Sequence, residues 1–79
     1  MYRIYHKNAF GKLEFVASFA TAESLFWILP LVLDDRRYKI KKNRLVVGLD
    51  ELLEIIYRKK DYIRGCMPES HVKRLLRYI

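Results

Sequence analysis

Apolar and polar residues alternate from Tyr2 to Lys7 and again from Leu13 to Phe19, the period-2 pattern of half-buried strands. Between the two runs stands Asn8-Ala9-Phe10-Gly11, where Asn and Gly supply a turn, so this stretch predicts a β-hairpin. Thr21 follows as an N-cap, with Glu23 in the first turn where the positive end of the helix dipole favours an anion. The helix it opens has almost no polar face. Leu25, Phe26, Trp27, Ile28, Leu29, Leu31, Val32 and Leu33 imply burial on several sides. Pro30 removes one backbone hydrogen bond and crowds the preceding turn, which predicts a kink there, or a stop near Ile28 and a restart.

After Asp34-Asp35, the span Arg37 to Lys41 reads as an edge-like strand in which Tyr38 and Ile40 alternate with basic residues. Lys42-Asn43 turns the chain into Arg44 to Val47, since Asn tolerates the left-handed conformation of tight turns, and this makes a second hairpin. Asp50 stands where an N-cap belongs. Leu49, Leu52, Leu53, Ile56 and Ile63 keep helical spacing up to Gly65, a natural C-terminal stop. Pro68 or Glu69 opens a last helix with Val72, Leu75, Leu76 and Ile79 at i, i+3, i+4 and i+7, and Lys73, Arg74 and Arg77 on its other face. The order ββαββαα predicts an α+β domain over 1–79, a small antiparallel sheet from two hairpins covered by two or three helices.

A chain of 79 residues makes one small domain, and an apolar fraction of 52% is more than such a core needs, so part of it is expected to face a partner. Cys66 is the only cysteine, which excludes an intrachain disulfide and fits a reducing compartment. The N-terminal segment has no apolar signal-peptide region, and the apolar run Leu25 to Leu33 is far short of the ~20 residues a membrane span needs. A cytoplasmic protein without membrane contact is the expectation.

Charge changes the picture most. Residues 1–35 carry three Lys and Arg against four Asp and Glu, hence −1, while residues 36–79 carry thirteen against five, hence +8. Such asymmetry attracts polyanions and acidic partners. Arg36, Arg37, Lys39, Lys41, Lys42 and Arg44 crowd the second hairpin, and alternation places Arg37, Lys39 and Lys41 on one strand face. Arg58, Lys59, Lys60 and Arg64 close one helix, and Lys73, Arg74 and Arg77 line the next. Tyr38, Tyr57, Tyr62 and Tyr78 are interleaved, and tyrosine beside arginine suits both base stacking and protein interfaces. The candidate binding set is Arg36, Arg37, Lys39, Lys41, Arg58, Lys59, Lys73, Arg74 and Arg77 as electrostatic contacts, with Tyr38 and Tyr78 as stacking or interface groups. The competing reading is structural: cations near helix C-termini complement the dipole, and charge runs are usually solvated faces.

Catalytic chemistry has little to stand on. Ser18, Ser24, Ser70, His6 and His71 occupy no spacing that poises a nucleophile. Cys66 and His71 are five apart, but a zinc site wants three or four ligands. Asp34-Asp35 and Asp50-Glu51 lie at presumed helix ends, where capping explains them. No enzyme, metal or cofactor is expected. Two further surfaces remain. Phe26, Trp27 and Leu29 form either a core element or a homodimer seam. Residues 50–64, a Gly65 turn and residues 68–79 match a helix-turn-helix in outline, although Tyr62 falls where a tight crossing wants a small residue and Gly65 is one place out of register, so an αα-hairpin is the preferred reading.

In its Tyr2-Arg3-Ile4-Tyr5 strand, its hairpin, its Thr21-Ala22-Glu23-Ser24-Leu25 helix start and its lack of catalytic equipment, the chain resembles the small accessory proteins of phages and mobile elements. Among these it is similar to anti-CRISPR proteins, which disable a host ribonucleoprotein by occupying its nucleic-acid or partner-binding surface. The resemblance implies a non-catalytic inhibitor or adaptor whose partner is a larger protein or ribonucleoprotein complex. Many such inhibitors are acidic mimics of DNA. A basic chain departs from that pattern and has to grip an acidic protein surface or bound nucleic acid. The alternative is a nucleic-acid-binding regulator that uses the helix pair near its C-terminus.

Overall fold

A computed structural model describes residues 1–78 and shows the α+β class: a four-stranded antiparallel sheet and five helices in the order ββααββααα. Contacts group the chain into two compact units, Met1–Val47 and Gly48–Ile79.

The first unit holds the whole sheet. Strands β1 (Tyr2–Lys7) and β2 (Leu13–Phe19) form the predicted hairpin. Asn8 closes its turn: Oδ1 accepts from the backbone N–H of Phe10 (2.9 Å) and of Lys12 (3.0 Å), and Gly11 takes φ 81°, which glycine adopts without a Cβ clash. Strands β3 (Tyr38–Lys42) and β4 (Leu45–Val46) form the second hairpin around Asn43 (φ 51°) and Arg44 (φ 70°). Two central residues at positive φ mark the tight turn whose twist suits a two-residue hairpin. The turn thus lies one residue later than Lys42-Asn43, and Arg44 belongs to it rather than to the strand. The strand order β2-β1-β3-β4 joins the hairpins through an antiparallel β1–β3 ladder, Ile4 opposite Ile40.

Helix α1 (Ala22–Leu25) begins as expected, with the Thr21 hydroxyl accepting from the Ser24 N–H at 3.2 Å. Of the two outcomes expected of Pro30, the structure shows the stop and restart. Helix α2 (Leu29–Asp34) starts afresh after Ile28, and Pro30 falls in its first turn, where a missing N–H costs no intrahelical bond. Tyr2, Ile4, Leu25, Phe26, Leu29, Val32 and Ile40 are buried in this unit.

The second unit is all helix: α3 (Leu49–Arg58), α4 (Lys60–Cys66) and α5 (Glu69–Leu76). The single helix expected from Asp50 to Gly65 is interrupted at Lys59, whose φ −106° and ψ 17° lie outside the helical range. Gly65 sits inside α4 and ends nothing; the chain turns instead at Met67 and Pro68. The outline of two helices around a Gly65 turn is therefore not present. Gly48, not Asp50, is the N-cap of α3, and Asp50 and Glu51 occupy its first turn, where the dipole still favours them. Leu52, Ile56, Ile63, Met67 and Leu75 are buried, whereas Leu49, counted among the apolar stripe, is exposed at the helix start. Ile79, the last member of the α5 stripe, lies outside the described residues.

Candidate functional site

Strand alternation divides the sheet into two faces. Tyr2, Ile4 and His6 of β1 share one face with Ile40 and Tyr38 of β3, and Tyr2, Ile4 and Ile40 are buried. The opposite face presents Arg3, Tyr5 and Lys7 of β1 beside Lys41 and Lys39 of β3, through the register pairs Arg3 with Lys41 and Tyr5 with Lys39. Arg3, Lys7 and Lys39 are exposed, and Tyr5 and Lys41 are half-buried.

Strand β2 reaches this outer face by an irregularity. Ile4 pairs with Ala17 but Tyr5 pairs with Phe15, so Val16 is an extra residue bulged out of the ladder. With regular pairing Phe15 would stand opposite His6, on the inner face. The bulge shifts the register by one, and in a period-2 structure that carries Leu13 and Phe15 to the outer face while Ala17 and Phe19 stay inside. Phe15 is 59% exposed and meets Tyr5 edge to face, with ring centroids 5.9 Å apart. The Lys41 Nζ lies 5.3 Å from the Tyr5 ring centroid, within cation–π range.

Two depressions flank the Lys39–Lys41 strand on this face. One, of about 360 Å³, is lined by Met1, Arg3, Tyr5, Lys41, Asn43 and Arg44. The other, of about 430 Å³, is lined by Lys7, Gly11, Leu13, Lys39, Lys41 and Val46. By register, among the described strand residues no Asp or Glu points to the outer face; Glu14 pairs with His6 on the inner one, and its carboxylate accepts from the Asn8 amide at 2.8 Å.

The residues expected from sequence to bind are divided by this geometry. Lys39 and Lys41 share the outer face, as alternation requires. Arg37 precedes β3 and turns to Asp35: its Nε and Nη2 donate to Oδ1 (3.1 Å) and Oδ2 (2.9 Å), and its backbone N–H donates to Oδ1 (3.0 Å). These bonds hold the Asp35 carboxyl at about 2, below its usual 3.8, chiefly through the side-chain hydrogen bond, and raise the Arg37 guanidinium above its ordinary value for the same reason. Asp35 is the C-cap of α2, its backbone N–H donating to the Leu31 carbonyl at the helix end expected of Asp34-Asp35, and its carboxylate adds the pairing with Arg37. Arg36 is exposed in the same turn. Tyr38 is on the inner face, 4.7 Å from the His6 ring, and so does not stand among Lys39 and Lys41.

In the helical unit Arg58 is paired with Glu54 one turn away, and Lys73 with Glu69 at 3.4 Å. Lys59 occupies the break between α3 and α4, and Arg74 is exposed on α5. Arg77 donates to the Tyr78 hydroxyl at 3.2 Å and lies over its ring at 5.1 Å. Phe26 and Leu29 of the suggested dimer seam are fully buried, and of that trio only Trp27 is exposed, at 52%. No cluster of three or more His, Cys, Asp or Glu occurs among the described residues, and no helix there is long and apolar enough to cross a membrane.

Sequence reasoning does not single out Arg3, Tyr5, Lys7 and Phe15, and it counts Arg44 among the cations of the second hairpin but leaves it out of the candidate binding set. The alternation of Arg3, Tyr5 and Lys7 was visible; their place beside Lys39 and Lys41 depends on the β1–β3 pairing. Compared with protein-family models, with characterised proteins and with solved structures, the chain matches none.

Proposed function

We propose that this chain is a non-catalytic interaction protein that docks the outer face of its sheet on a polyanion, in an intracellular setting that suits its single cysteine. The reading rests on one observation: Arg3, Lys7, Lys39 and Lys41 converge on one face from two neighbouring strands, with no carboxylate among the described strand residues of that face. A field of one sign over a half-apolar surface concentrates phosphate or carboxylate ligands and speeds their encounter. The phosphates of a nucleic acid carried by a nucleoprotein are the partner it fits best. An inhibitor of the anti-CRISPR kind would use such a face to cover the strand its target must hold.

The test compares placement at constant charge. Lys39→Gln with Lys41→Gln, and Arg58→Gln with Lys73→Gln, each remove two positive charges from a net charge of +7, leaving +5. Retention on an immobilised sulfated polysaccharide and affinity for labelled nucleic acid are measured across a salt series. The sheet pair is expected to weaken binding about tenfold and to lower the salt slope by roughly 1.5, because each phosphate contact contributes ~0.7–0.9 to that slope. The helix pair should change neither. Equal losses in the two variants would mean that only net charge matters and that the sheet face is not the site.

A further inference from the structure

The outer face carries more than charge. Two aromatic rings stand on it, Tyr5 and Phe15, and the Val16 bulge separates Phe15 from Ala17 and Phe19, which face inward. Regular pairing continued from Ile4 and Ala17 would put Phe15 on the inner face, opposite His6. The bulge instead leaves Phe15 59% exposed against the Tyr5 ring, and bulges of this kind concentrate beside functional sites, where they re-aim a side chain. Arg44 is an uneconomical choice. It occupies φ 70° in a turn position where glycine is unstrained, and its side chain lines the depression formed by Arg3, Tyr5, Lys41 and Asn43.

From this arrangement we infer that the sheet's outer face is a stacking platform for single-stranded nucleic acid, with bases on Tyr5 and Phe15 and phosphates along Arg3, Lys39, Lys41 and Arg44. The inference rests on the polyanion reading and adds the ligand's form. Sequence-tolerant recognition of single strands combines a cationic track with exposed rings, because every base has a π-face. Both parts are interleaved here at strand spacing: Tyr5 is flanked along its own strand by Arg3 and Lys7, and across the ladder by Lys39. The Lys41 ammonium sits over the Tyr5 ring on a flexible stem, so it can yield the ring to a base and move to the adjoining phosphate. Asn43 adds an amide at the rim of the same depression, a group that both donates to and accepts from a base edge. A duplex offers such a face its phosphates only, since its bases are already stacked, and it would leave both rings idle. An acidic protein would satisfy the cations but has no comparable use for rings set among them.

The experiment measures anisotropy of labelled strands of about ten nucleotides, within the site size of known single-strand binders, in deoxyribose and ribose forms. The comparison probes are an abasic strand of equal length, a duplex and polyglutamate. Either intact strand is expected to bind at least about thirtyfold tighter than the abasic strand, since stacking on each of the two rings contributes about fivefold or more. Tyr5→Ala and, as the exposed and structurally safer variant, Phe15→Ala should each lower intact-strand affinity about fivefold or more while leaving abasic binding unchanged, and Tyr5→Phe should keep it. If the abasic strand or the duplex binds as well as the intact strand, stacking is wrong and the polyanion reading survives. Polyglutamate binding as tightly as the strand would replace nucleic acid with an acidic protein partner. Failure of every probe to bind would overturn both readings.

Discussion

The two units of this chain carry the same kinds of charged residue and use them differently. In the helical unit, α3, α4 and α5 each begin with an acid (Asp50 and Glu51, Asp61, Glu69) and end with a base (Arg58, Arg64, Lys73 and Arg74), the distribution that each helix dipole favours. Two of those cations also meet a carboxylate one turn back, Glu54 for Arg58 and Glu69 for Lys73. On the sheet itself no dipole arranges the charges, and pleat and register decide which side chains become neighbours. Up to Val47 there are nine Lys and Arg against four Asp and Glu, hence +5; from Gly48 there are seven against five, hence +2. Glu23 is in α1, Asp34 and Asp35 end α2, and Glu14 points inward, so none of the four acids shares the outer sheet face. What distinguishes the proposed docking face from the helical unit is therefore whether acids share its face, more than the charge of the segment.

The largest effect that can break this comparison lies in one strand. Ile4 is fully buried, paired with Ile40 and Ala17, and its neighbour Arg3 faces out. Ile4→Ala is expected to cost about 2–5 kcal/mol of stability, as large-to-small core changes do, measured by denaturant unfolding. Arg3→Ala should change stability by no more than about 0.5 kcal/mol and weaken polyanion binding several-fold. Should Arg3→Ala destabilise as Ile4→Ala does, the two faces are not distinct in the way the register implies.

A smaller effect, of opposite sign in two measurements, is expected at Arg44. Its positive φ costs a non-glycine residue about 1 kcal/mol. Arg44→Gly should thus stabilise the sheet unit by about that amount and weaken strand binding, because the guanidinium leaves the depression beside Tyr5. A variant that is both more stable and fully competent in binding would show that Arg44 has no part in the site.

Much of the fold was legible because local rules governed it. The first hairpin, the Thr21 cap, the break at Pro30 and the start of α5 follow from alternation, capping and proline chemistry within a few residues. The break at Lys59 had no such signal, since Glu54 through Arg64 contains neither proline nor glycine and only the folded backbone reveals it. The outer face was hidden for two further reasons. Pairing β1 with β3 is a contact across more than thirty positions, and nothing near Arg3 announces that Lys41 will be its neighbour. In Leu13-Glu14-Phe15-Val16-Ala17-Ser18-Phe19 simple alternation puts Leu13, Phe15, Ala17 and Phe19 together, and the bulge at Val16 splits that set between the faces. Tyr38 looked like the aromatic partner of Lys39 and Lys41 because it is adjacent to them in sequence, yet adjacency along a strand is what guarantees opposite faces.

Asp35 tests a cation of the sheet unit that is tied to a carboxylate of the same unit, Arg37. Because folding lowers the carboxyl from its usual 3.8 to about 2, the ionised form favours the folded state. Its contribution is complete above the unfolded value and is lost as pH falls through the folded one. Melting temperatures of the wild type and Asp35→Asn should run parallel at neutral pH and converge as the acid window from about 4 to about 2 is crossed. A gap that persists unchanged at the bottom of that window would rule out the Arg37 pairing as its source. Since Asp35→Asn also frees Arg37, it should raise rather than lower affinity for a polyanion if that guanidinium can reach the bound strand.

The smallest effects are expected where charge is most evenly matched. Arg58→Gln and Lys73→Gln each break an exposed pair between residues one helical turn apart, and such pairs contribute about 0.3–0.5 kcal/mol. Both variants also take a cation from the last turn of a helix, which adds a comparable amount at low salt. The predicted destabilisation is thus under about 1 kcal/mol each and fades as salt screens the pairs, read from denaturation midpoints at low and high ionic strength. The salt dependence is the discriminating part. Arg58 and Lys73 should lose stability in low salt and leave polyanion affinity unchanged, whereas Lys39 and Lys41, which have no carboxylate on their face to lose, should do the reverse; a helix cation that alters affinity without altering stability would move the binding surface into the second unit.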